Sequence, residues 1–133
     1  MTEAKKRPAP WTPAENTAIC RLYGAMLDHV AKGNKYSKAA MIRQYRGEND
    51  PTAELRALAP LSTRSKGSIE AKLMNLTAVL QDLGIKHTMA EHGYVPLPNY
   101  QATLKEAAAY HWKNQIAAIH EDTNAASFAR MGR

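Results

Sequence analysis

One cysteine in 133 residues rules out an internal disulfide, so the fold must hold by packing, and a reducing cytoplasm is the compartment such a chain suits. Long apolar runs are missing too. No stretch of about eighteen apolar residues is available to span a bilayer. The opening MTEAKKRPAP has basic residues but not the apolar segment of a secretory signal. A soluble protein with no membrane association is expected. Nor is there a pair of alternating segments joined by a hairpin turn, an internal repeat or a low-complexity tract, which leaves an all-α fold as the expectation.

Positive charge is what the sequence has in excess. The formal net charge is +6. Between Lys32 and Lys72 nine basic residues (Lys32, Lys35, Lys38, Arg43, Arg46, Arg56, Arg64, Lys66, Lys72) face four acidic ones (Glu48, Asp50, Glu54, Glu70), so five of the six net charges fall in this segment. Concentrated charge of this kind suits a polyanion, whose phosphates release counterions when neutralised. A solvated basic surface is the plain alternative.

Five helices can be read from caps and spacing. Thr12, Pro13 and Glu15 form a capping box with proline at the first helical position, and Ile19, Leu22, Tyr23, Met26, Leu27 and Val30 recur at helical spacing until Gly33, giving a helix over 13–32. Ser37 caps a short helix over 38–46 with Ala39, Ile42 and Tyr45 inward, closed by Gly47. Asp50 and Pro51 open about two turns, TAELRALA, with Leu55 and Leu58 on one face and Pro60 as the stop. Ser65 caps a helix over 65–83 with the stripe Ile69, Leu73, Leu76, Val79, Leu80 and Leu83, and Gly84 ends it. Residues 85–98 read as a loop packed back by Tyr94, Val95 and Leu97. Asn99 caps a last helix over about 100–119, with Leu104, Ala108, Trp112, Ile116 and Ile119 inward. The expected organisation is one domain over 11–119, a flexible basic arm over 1–10 and a tail over 120–133 that frays or continues weakly helical.

Two segments carry the chemistry. WTPAENTAI (11–19) and RSKGSIEAKLMNL (64–76) resemble the first and third helices of Myb/SANT-like domains, in which Arg64, Ser65, Ser68, Ile69, Lys72, Leu73 and Leu76 fall on the third-helix pattern. Helix-turn-helix proteins present the N-terminal half of such a helix to the major groove. On that reading Ile69, Leu73 and Leu76 hold the helix down, while Arg64, Lys66, Ser68, Lys72 and Asn75 face DNA. Ser65 and the first-turn amides suit a backbone phosphate. Lys38 and Arg43 on the second helix join them as candidate contacts. Gly67, at some cost in helix propensity, leaves room for close approach.

Each assignment has a plainer counterpart. Lys66 and Lys72 could merely solubilise the surface, Asn75 could hold the following loop, and Glu70 could pair with Arg64, Lys66 or Lys72 instead of accepting from a cytosine. Tyr94, Tyr100 and Trp112 fit core packing better than a base-binding cradle. Cys20 lies in an apolar pattern and reads as an inert core thiol. The five histidines are scattered; only His87 and His92 lie close together, in a loop without supporting Cys or Asp, so neither a metal nor another cofactor is expected.

A second resemblance spans about residues 11–108. Trp11, Asn16 and Tyr23; Tyr36 and Lys38; Arg64, Ser65, Gly67, Ser68, Ile69, Glu70 and Lys72; Asn75, Ala78, Val79 and Leu80; Gly93, Tyr94 and Pro96; and Asn99, Tyr100 and Gln101 match in order. These blocks resemble the helical N-terminal domain that precedes HNH nuclease modules in bacterial restriction-type endonucleases. The resemblance implies double-stranded DNA recognition serving a nuclease. Two departures stand out: GENDPTAEL looks like an insertion, and no HNH module follows, so catalysis by this chain is not expected. The expected architecture is a Myb/homeodomain-like helix-turn-helix bundle with an added loop and C-terminal helix. The role it suggests is a non-catalytic regulator or restriction-related factor of a phage or mobile element. A SANT-like protein-interaction module, or the recognition subunit of a split nuclease, remain the alternatives.

Overall fold

A computed structural model describes residues 9–121, so the basic arm, apart from Ala9 and Pro10, and the tail beyond Glu121 lie outside the described residues. Among the described residues the fold is entirely helical: α1 (Pro13–Lys32), α2 (Lys38–Tyr45), α3 (Ala53–Leu58), α4 (Lys66–Asp82), α5 (Ala102–His111) and α6 (113–121). None of these helices is long and apolar enough to cross a membrane.

α1 starts where its cap dictates. The Thr12 hydroxyl accepts from the Glu15 amide and the Glu15 carboxylate accepts from the Thr12 amide, with Pro13 in the first turn. Gly33 ends the helix at φ 67. α1 packs against α5, α4 and α2, and α4 also packs against α5. The core is built from Ile19, Leu22, Tyr23 and Met26 of α1, Ile42 of α2, and Ile69, Leu73, Leu76, Val79 and Leu80 of α4, closed by Leu104 and Trp112.

α4 departs from the expected one-sided helix. From Lys72 to Leu80 all residues but Met74 are buried, including Asn75 and Thr77, so the later turns run through the centre of the molecule. At the start, Ser65 to Gly67 are exposed, with Ser68, Glu70 and Ala71 half-buried, and at the far end Gln81 and Asp82 are exposed again. A buried relay ties this helix to its neighbours: the Tyr23 hydroxyl lies 2.7 Å from Thr77 Oγ1 and accepts from the Met89 amide at 2.8 Å. The 85–98 segment is thereby docked without regular structure, with Met89 and Tyr94 buried; Val95, expected to pack inward, is 58% exposed.

Three further boundaries differ from expectation. α3 is capped by Thr52, which accepts from the Leu55 amide, and not by Asp50. It buries nothing: Leu55 is 46% and Leu58 78% exposed, so their shared face is not a core face. The insertion is joined to the end of α2 through Gly47 at φ 76, where an added Cβ would stand 2.7 Å from the Arg56 carbonyl oxygen, so only glycine fits. The last helix breaks at Trp112, whose backbone leaves the helical region as its buried ring meets Tyr23 edge-on at 6.1 Å. Its first part begins after Gln101, which makes no side-chain cap. Asn99, expected in that role, instead lies 3.5 Å from the Asn75 amide.

Candidate nucleic-acid interface

The start of α4 is where the nominated residues gather, and the structure divides them. Ser65 caps the helix by accepting from the Ser68 amide at 3.1 Å, and the Ser68 hydroxyl donates to the Ser65 carbonyl oxygen. Lys66 is 60% exposed, with its ammonium 4.0 Å from Glu70, the pairing expected for that carboxylate. Among the described residues nothing lies within 4 Å of where a Gly67 Cβ would be, so they leave the approach to this turn open. The amides of a first helical turn have no partner within their own helix and carry the positive end of its dipole. On α2, Arg43 is exposed. It precedes Arg46 by three residues, and Arg46 Nε donates to the Arg64 carbonyl oxygen at 2.7 Å, so this flank of α2 borders the start of α4.

Arg64, Lys72 and Asn75 are turned inward, contrary to their expected placement. Arg64 is 6% exposed. Its guanidinium donates to both carboxylate oxygens of Glu15, at 2.6 and 2.8 Å, and to the carbonyl oxygens of Ala9 and Pro10. It also lies 4.7 Å from the centre of the Trp11 ring. A planar fork with five donors suits this convergence of acceptors, and a long apolar stem allows a cation to be drawn over an aromatic face. The hydrogen bond from Arg64 holds the Glu15 carboxyl down at about 2, well below its usual 4.5.

Lys72 stands 5.2 Å from the same ring, close to Gln101, and burial, with Arg64 nearby, lowers its pKa. The Asn75 amide donates to the Leu97 carbonyl oxygen at 2.8 Å, the loop-holding alternative. Lys38, half-buried, donates to the His92 carbonyl oxygen and sits over the Tyr94 ring at 4.9 Å. The face left open to a ligand is therefore Ser65, Lys66 and Ser68 on α4 with Arg43 on α2.

The sequence marks Glu15 only as a helix cap, and nothing local in it joins Trp11 to Arg64. The signal is tertiary, since 49 residues separate the acid from the arginine. Cys20 is fully buried, and burial pushes its thiol up to about 12. Among the described residues no three His, Cys, Asp or Glu side chains come together as a metal site would require. No model of a known family, no curated protein and no solved structure matches the chain.

Proposed function

We propose that the chain is a non-catalytic, cytoplasmic double-stranded DNA-binding protein of the Myb/homeodomain-like helix-turn-helix kind, which docks the open start of α4 on the duplex. The observation that carries this reading is the combination at that turn: a serine-capped helix end with exposed Lys66 and unobstructed Gly67, in a chain of net charge +6. Arg64 serves it indirectly. By gripping the carbonyl oxygens of Ala9 and Pro10, it fixes the end of the basic N-terminal stretch beside this turn, two to four residues after Arg7, Lys6 and Lys5 in the sequence. A regulator or restriction-related factor of a phage or mobile element fits such a binder.

Titration of a short duplex at rising salt tests the reading. Affinity should fall with a slope of about 0.9 log units per phosphate neutralised. Lys66→Ala and Arg43→Ala should each reduce the slope by about one while leaving the melting temperature unchanged. Absence of binding at low salt would overturn the proposal. It would favour the second reading, a protein-interaction module, which the exposure of Leu55 and Leu58 on α3 supports. Under that reading Leu58→Asp removes partner binding; under the DNA reading it leaves duplex affinity unchanged.

A further inference from the structure

On its way to α5 the chain crosses α4. Tyr94 lies under the Lys38 ammonium on the α2 side, and Gln101 meets Lys72 at 3.4 Å on the Trp11 side. Between them the Leu97 amide donates to the Met74 carbonyl oxygen at 3.1 Å, and the Leu97 carbonyl oxygen accepts from Asn75. The open start of α4 therefore ends against residues 94–98. Burial, and after it the Glu70 carboxylate, push the Tyr94 hydroxyl up to about 12, so the crossing is within electrostatic reach of the turn that carries Lys66 and Glu70.

What the crossing shows to solvent is apolar. Tyr94 is buried and Leu97 half-buried, while Val95, between these two anchors, is 58% exposed, with Pro96 and Pro98 exposed beside it. Single exposed valines are common on protein surfaces and mean little by themselves. This one is fixed at the end of a cationic face, with a backbone bond to α4 on one side of it and a ring packed under an ammonium on the other. Prolines have no amide hydrogen and the Leu97 amide is taken, so residues 96–98 keep no N–H for the edge of a base. Glu70, between Lys66 and the crossing, disfavours a phosphate there and leaves that part of the face to bases. Lys66 and Met74, on which Leu97 docks, are eight residues apart, about 12 Å along the helix. A major groove about 12 Å wide accommodates both ends of that span.

The apolar feature of base edges in that groove is the methyl group on C5 of a pyrimidine. Resting on the duplex reading above, we infer that Val95 is a specificity-determining residue of the docking face, packing against such a methyl group while Lys66 holds a phosphate. Thymine and 5-methylcytosine both carry this group.

Duplexes selected by the full chain from randomised pools, one with ordinary cytosine and one with 5-methylcytosine, allow a test. In the tightest duplex each thymine or methylcytosine is replaced singly by uracil or cytosine, which removes only the methyl group. One position is expected at which this loss weakens binding about three- to fivefold, the worth of one buried methyl. A thymine there names the ordinary base and a methylcytosine the modified one, and either result supports the inference. Val95→Ser should bind both members of the pair equally, with the salt slope and melting temperature of the wild type, since the change is exposed and uncharged. Val95→Ile should keep the discrimination. Lys66→Ala should do the reverse of Val95→Ser, lowering the salt slope and keeping the discrimination. Indifference to the methyl group at every position, or a discrimination that persists in Val95→Ser, overturns the inference and leaves the duplex reading standing. Absence of duplex binding at low salt overturns both.

Discussion

Glu15 does two tasks with one carboxylate, closing the α1 capping box and holding Arg64, and a single substitution separates them. Glu15→Gln keeps a side chain able to complete the box but leaves the buried guanidinium without its counter-charge. A loss of about 3 kcal/mol in urea unfolding at neutral pH is expected. The carboxyl is depressed in the folded chain, from 4.5 to about 2, so its contribution is complete above pH 4.5 and drains away as pH falls toward 2. Wild-type stability should drop through that window by about 3 kcal/mol more than that of Glu15→Gln, measured by denaturant midpoints at pH 6 and pH 2.5. Cys20, with its thiol pushed up to about 12 by burial, should stay unmodified by a thiol reagent at pH 8 until denaturant is added.

Among the helices, α4 bears the heaviest structural demand because its later turns are enclosed. Leu73→Ala should cost about 2 to 5 kcal/mol, read from the thermal or urea transition, since Leu73 is fully buried. This element and α1 were legible in the sequence: capping residues sat where the helices begin, and apolar residues recurred with the helical period. α3 was misleading. Its leucines have helical spacing, but they lie in an excursion off Gly47 that none of the other described helices covers, and periodicity cannot tell a core face from an uncovered one. The break at Trp112 was equally hidden, because what turns the chain is contact of that ring with Tyr23. Among the candidate site residues, exposed Ser65 and Lys66 and half-buried Ser68 were readable from position on the helix. Arg64 and Lys72 were not, because long cationic side chains can fold back along an aromatic ring such as Trp11 wherever tertiary packing puts one within reach.

Taken as one body, the protein carries less open positive charge on its basic segment than a count of residues suggests. Arg64 is matched by Glu15, Arg46 by Glu48 at 3.0 Å and Lys66 in part by Glu70, while Lys72 is drawn inside. The share of any electrostatic attraction borne by Lys5, Lys6 and Arg7 rises accordingly. Deleting residues 1–8, which leaves the Ala9 and Pro10 carbonyl groups that Arg64 grips, should preserve the melting temperature. It should lower the salt slope of duplex binding by up to about 0.9 for each charge removed. The relay of Tyr23 with Thr77 and Met89 has a consequence of another kind. It ties a stretch without regular secondary structure to the innermost helix through a hydroxyl sealed from water. In deuterium oxide the Met89 amide should therefore keep its proton as long as amides in the middle of α4, opening only when the entire molecule does.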